Sequence, residues 1–324
     1  MVLTTRLISL RLAFLVLALI SVTNSIHAEN AQANALLQQG RVDEAGNLLH
    51  QALSAQPGDA KAHQLLCRVY YAQDMADSAI HECELATSNA PTESEHQVWL
   101  GRAYGLKASH ANPLIAYGLA KRVRSSFEHA VQLNAANVHA MSDLGQYYVA
   151  APGFVGGGLD KAETLAQQMQ FRFPAQAHRL RGFIANKRKD TATAEAEFKA
   201  ATAGKAPEAF IDLGQFYEEH GQPDKAVAAL QAGIAADPMK DAALVDAASI
   251  LTAAQRSPEL AEQLLRDYLS STAKSDSAPA FKVHIQLGDL LLHRGDSGGA
   301  RREYAAALAM ASNYAPARKA IQGL

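Results

Sequence analysis

Nowhere does the chain hold about twenty consecutive apolar residues, the length that a membrane-spanning helix needs. The longest such run, Leu12 to Val22, is about half of that. Charge of one sign is also lacking. Thirty basic residues stand against 32 acidic ones, and the first 28 residues hold Arg6 and Arg11 but no acid. That balance, with no basic run and no basic stretch studded with aromatics, gives no general pull toward nucleic acid or anionic lipid. Motifs of catalysis are missing too: the chain has no Gly-x-Ser-x-Gly, His-Glu-x-x-His or Cys-x-x-Cys. An enzyme is not expected, and neither is a bound cofactor. No β-branched run alternates with the helical patterns, which excludes a sheet or a dinucleotide-binding unit.

Among what is present, the N-terminus is the most local signal. Arg6 and Arg11 precede the apolar run, and polar Thr23-Asn24-Ser25 then leads to Ile26-His27-Ala28. This is the order of a secretory signal peptide, so residues 1–28 are expected to be removed after Ala28, leaving a periplasmic or secreted chain from Glu29 with no membrane span.

The remainder repeats itself. Leu100-Gly101 with Tyr104, Leu144-Gly145 with Tyr148, and Leu213-Gly214 with Tyr217 are three copies of one helical phrase, and Leu287-Gly288 with Leu291 is a fourth. Each is followed by a helix with a small residue near its start, among them Ala45, Ala79, Ala162, Ala194, Ala226, Ala261 and Ala300. Prolines at 57, 91, 174, 207 and 238 are read as closing units, because proline cannot continue a helix. Pro57 to Pro91 and Ala45 to Ala79 are both separated by about 34 residues, the period of one helical-repeat class.

In these residues and this spacing the chain resembles the tetratricopeptide repeat family, and an exported bacterial member of it. The resemblance implies an all-α solenoid of about eight helix-turn-helix units wound as a right-handed superhelix. The units fall near 26–59, 60–93, 94–137, 138–174, 175–206, 207–240, 241–280 and 281–313. Together they form an array over 29–313, and 314–324 is expected as a C-terminal capping helix. The first unit lacks the Gly and Tyr and is read as a cap.

Two units are stretched. About ten extra residues, around Ala108 to Tyr117, lengthen the third, and about five lengthen the fourth, giving Ala151-Pro152-Gly153-Phe154-Val155-Gly156-Gly157-Gly158. This loop resembles one that recurs in bacterial tetratricopeptide proteins. It follows no strand and lacks the Gly-Lys-Ser/Thr ending of a phosphate loop, so it is read as a structured turn with Phe154 plugging a groove between helices.

His63, Cys67, His81 and Cys83 raise a metal question, but His81 and Cys83 are two apart on a helix and diverge, so four ligands do not converge and no metal is assigned. The resemblance implies partner binding on the concave wall made by the first helices, and helical phase puts Lys61, Gln64, Arg68, Tyr71, Arg102, Gln146, Arg179, Phe183 and Asn186 there. With Arg68, Arg102 and Arg179 its early half reads as basic and suited to an acidic segment. The expected function is a protein-protein interaction scaffold of the cell envelope. Its partner is an envelope protein or peptide and not nucleic acid. The alternative is a periplasmic metal- or small-ligand-binding protein. The two cysteines flank the turn of one hairpin at matching heights, so they are expected to form a disulfide in an oxidising compartment, closing a loop worth about 3 kcal/mol. Thiol titration of the denatured, unreduced protein from the envelope should find no free thiol. Two per chain would reject the bond.

Overall fold

The computed structural model describes residues 28–324, so the expected leader lies outside the described residues apart from Ala28. Among the described residues there are seventeen α-helices and no strand. They pair as eight antiparallel hairpins: α1 (28–38) with α2 (Val42–Ala55), α3 (Ala60–Ala72) with α4 (Ala76–Asn89), α5 (Ser94–Ser109) with α6 (Pro113–Leu133), α7 (Val138–Ala150) with α8 (Leu159–Met169), α9 (Pro174–Lys187) with α10 (Thr191–Ala201), α11 (Pro207–Glu219) with α12 (Pro223–Ala236), α13 (Ala242–Ala253) with α14 (Pro258–Ser270), and α15 (Ala280–His293) with α16 (Ser297–Met310). A last helix, α17 (Ala315–Gln322), follows.

Local chemistry fixes where these helices start and stop. Asp59, Asn112, Asn137, Asp190, Asp241 and Asp296 each accept hydrogen bonds from first-turn amides that have no partner within the helix. Pro174 and Pro207, read from the sequence as closing units, sit in the opening turns of α9 and α11, where the missing amide costs nothing. Six hairpins share one turn, in which a left-handed residue ends the first helix. That residue is Gly40, Asp74, Lys189, Gly221, Gln255 or Gly295, and the amide after it bonds back to a carbonyl of the last helical turn, as Met75 does to Tyr70.

Within several hairpins the two helices touch where one of them has almost no side chain. A Cβ on Gly101 would lie 2.5 Å from the Phe127 ring, and one on Gly288 would lie 2.5 Å from Tyr304. In the α3/α4 hairpin the same two slots hold Cys67 and Cys83, which form a disulfide with their α-carbons 5.3 Å apart. This cross-link excludes both sulfurs as metal ligands.

The last hairpin packs on the first two. Phe281 of α15, with Ala307 and Ala311 after it and Tyr314 and Ala317 at α17, shares one buried cluster with Leu37, Leu49, Leu65 and Leu66. Phe281 and Tyr314 meet edge to face, 5.0 Å between centroids. Gly40 approaches Ala280 so closely that a Cβ would come within 2.7 Å of its backbone nitrogen. Around this contact, Lys282 Nζ and the Tyr314 hydroxyl both reach the Asp74 carboxylate at 2.7 Å, and Ser312 donates its amide to Asp43. The helix at the C-terminus thus covers the N-terminal hairpins, and the array closes on itself. Phe281→Ala should cost about 3–5 kcal/mol, the usual loss for a buried ring. It should also raise the radius of gyration by X-ray scattering, whereas an unchanged radius would show that the ends hold together without it.

Candidate functional site

The first helices of the hairpins line the inner wall. The residues placed there by helical phase do not present a free basic strip. Arg68 donates from Nε to Asp276 at 2.7 Å and from a terminal nitrogen to Asn34. Arg102 is paired with Asp143 at 2.7 Å, and Arg179 with Asp212 and more loosely with Glu208. Each arginine therefore has its carboxylate inside the chain. Arg68 and Arg102 are also largely buried, with side chains 11% and 26% exposed. Reversing their charge would unbalance buried ion pairs rather than probe a solvated face. The reading of the early half as basic changes accordingly: its three arginines are each matched by a carboxylate.

Between those two arginines lies Trp99, to which sequence reasoning assigned nothing. Their guanidinium carbons are 5.2 Å and 4.7 Å from the indole centroid, and Tyr71 meets its edge. The indole N–H donates to Glu95 at 3.0 Å. Such stacking of cations on an aromatic face orients the arginines toward their carboxylates. Lys61 bonds Gln64, and burial, with the nearby Arg68 charge, lowers its ammonium below the usual lysine range. Gln64 is 1% exposed, so it faces the interior and is no docking residue.

The exposed part of the predicted set lies farther along, on α7 and α9. Gln146 is exposed there, and Phe183 is half-buried against Phe198 with ring centroids 5.1 Å apart. Asn186 reaches Glu219 at 3.4 Å. Ser142, Gln146, Gln176, Arg179, Leu180 and Phe183 line a shallow recess between the two helices. The carboxylates missed from the sequence had a signal of position: Asp143 and Asp212 immediately precede Leu144 and Leu213 of the repeated phrase. Each reaches back to an arginine of the preceding hairpin's first helix.

Three histidines find carboxylate partners across their own hairpins. His63 holds Glu82 with Nδ1 at 2.6 Å and the Pro57 carbonyl with Nε2, and the pairs His178 with Glu197 and His284 with Glu303 repeat the first contact at 2.7 Å. These are braces across a hairpin. Among the described residues no group of three or more His, Cys, Asp or Glu side chains is arranged to hold a metal ion, and no helix is long and apolar enough to cross a membrane.

Family models described as tetratricopeptide repeat match residues 36–99 and 211–280. The chain is a tetratricopeptide repeat protein. No curated protein matches it. Among solved structures it is similar to yeast Tom70, at 16% identity and a TM-score of 0.53, over 87% of this chain and 57% of that one. A thermophilic tetratricopeptide protein of Thermus thermophilus shares 20% identity over 70% of this chain and 99% of its own, with a TM-score of 0.46. One from Parabacteroides merdae shares 12% over 92% and 98%, at 0.47. At these identities the likeness concerns the fold alone. That fold generally mediates protein-protein interaction.

One titration reports on the inner wall. Burial alone would raise the Glu95 carboxyl, but His139, the Asn137 amide and Arg102 reverse this and hold it at about 2. Glu95, 3.8 Å from Nδ1, in turn raises the His139 imidazolium against the opposing effect of burial. The raised histidine stabilises the fold below its unfolded value, and that share is lost as pH rises through the folded one. The depressed carboxylate contributes above the usual glutamate value and is lost as pH falls toward about 2. Followed by proton NMR, His139 should titrate above an ordinary histidine, and Glu95→Gln should bring it down. A midpoint that ignores the substitution would remove Glu95 as the cause.

Proposed function

We propose that this tetratricopeptide repeat protein is an exported, non-catalytic scaffold of the bacterial cell envelope, which holds a partner protein or peptide against the inner wall at α7 and α9. The observation that carries the reading is the recess beside Gln146. There an exposed amide that makes no hydrogen bond within the chain adjoins the half-buried ring of Phe183, on a wall whose three predicted arginines are paired within the chain. A polar group with open valences next to an apolar surface is what a bound segment needs for both affinity and register. Because Arg68, Arg102 and Arg179 are matched internally, recognition rests on neutral hydrogen bonding and on Phe183 rather than on attraction of an acidic segment. Export is supported by Arg6 and Arg11 ahead of the apolar run Leu12 to Val22, with Ala28 at the expected cleavage point, and by a cysteine pair spaced for a disulfide.

A photo-crosslinking amino acid placed at Gln146 should form an adduct with an envelope protein in living cells, and one at the exposed Gln168 of α8 should not. The captured chain should begin at Glu29. Adducts from Gln168 alone would move the partner to the outer face, and a captured chain that begins at Met1 would overturn export.

A further inference from the structure

Aligning the hairpins at their close contacts puts the extra length of α5 and α6 at one edge. Cys67 and Gly101 are both the eighth residue of their helix, while Cys83 and Phe127 lie seven and fourteen residues after the starts of α4 and α6. The first two turns of α6 therefore project about 10 Å past the neighbouring turn. Beside them stands the glycine-rich loop of the next hairpin. Phe154 was expected to plug a groove, but it is 73% exposed, and it is Val155 that fills the interior. The outward ring stacks on Tyr117 of α6, centroids 6.1 Å apart. Of the eight exposed large apolar side chains among the described residues, five lie on this edge: Met75, Leu114, Ile115, Tyr117 and Phe154.

We propose that this tip seats the protein on the surface of a lipid bilayer. Three observations favour hydrocarbon over a protein partner. No Asp, Glu, Lys or Arg occurs in 108–120 or in 149–159, so both segments are free of fixed charge, and the first is bracketed by Lys107 and Lys121. Lys121 lies over the Tyr117 ring, 4.3 Å from its centroid, an arrangement in which an aromatic side chain enters the interface while the ammonium stays in water. Second, much of the backbone of the tip is turned inward, with the amides of Leu114 and Phe154 left open. Pro113 has no amide to satisfy, Asn112 caps Ile115, and Val155, Gly156, Gly157 and Gly158 donate to carbonyls of the loop and of Tyr148. The Val155 carbonyl takes the Tyr147 hydroxyl, and that of Gly156 takes Lys161. Apolar surroundings favour such pairing. A protein interface would instead want about one hydrogen bond per 100–200 Å², and this tip offers few groups to make them. Third, a projection of about 10 Å matches the depth of about 5–10 Å at which interfacial elements sit. Lys107 and Arg122 at its base are engaged with Asp77 and Glu84, so attachment is by apolar insertion and not by charge.

Co-sedimentation with vesicles of phosphatidylethanolamine and phosphatidylglycerol, and with vesicles of phosphatidylcholine, tests this with the whole mature chain from Glu29. Both should bind it, with little loss at raised salt. The double variant Leu114→Asp/Phe154→Asp should bind at least about tenfold more weakly. Because both side chains are exposed, its far-UV circular dichroism and melting temperature should stay those of the parent. In a separate variant, Phe154→Trp, indole emission should shift to the blue when vesicles are added. Binding that survives the double substitution would place attachment elsewhere in the chain and overturn the proposal. So would an absence of vesicle binding together with a dimer that the same substitutions dissolve, since the tip would then join two copies of the chain.

Discussion

The molecule depends on the distance between two helices at one point in several of its hairpins. Gly101 against Phe127 and Gly288 against Tyr304 let the axes approach until a ring fills the space that a Cβ would need. A methyl group there would force the ring, and with it the second helix, outward. Since every hairpin is stacked on its neighbour, an error of a fraction of an ångström at one contact would be passed along the array. The disulfide at Cys67 and Cys83 occupies the same two slots, replacing ring packing by a covalent link in the hairpin that also receives the last repeat.

That constraint explains what the sequence reveals. Small residue, bulky residue and period are fixed by local packing, so the helical pairs, the two stretched units and the positions of the cysteines could be read from Leu-Gly-x-x-Tyr and the spacing of alanines. The inner wall was less legible. Helical phase places Arg102 and Arg179 on it, but whether a guanidinium is free depends on a carboxylate in the next hairpin, and only the superhelical turn brings Asp143 and Asp212 within reach. Gln64 shows the same limit, because a small error in helical phase separates a wall from a core.

The contact between the first and last repeats was not legible at all. Lys282 and Asp74 are 208 positions apart, and nothing in either neighbourhood announces the other. Their meeting follows from the sum of many small rotations from one hairpin to the next, a quantity set by packing at every interface and not encoded by any one motif. The glycine-rich loop lies between these cases. Its irregularity was plain in the sequence, whereas the direction of Phe154 was decided by the lengthened α6 beside it.

Closure also changes the kind of object the array is. An open stack of repeats behaves as a linear lattice whose end units hold one interface each and so fray first. Joining the ends turns the lattice into a loop with no boundary, in which every unit must break two interfaces to open. The joining contacts span almost the whole chain and cost the most loop entropy to form. Folding would then run as two regimes, rapid zipping of neighbours followed by a late, slower latch at Asp74 and Phe281.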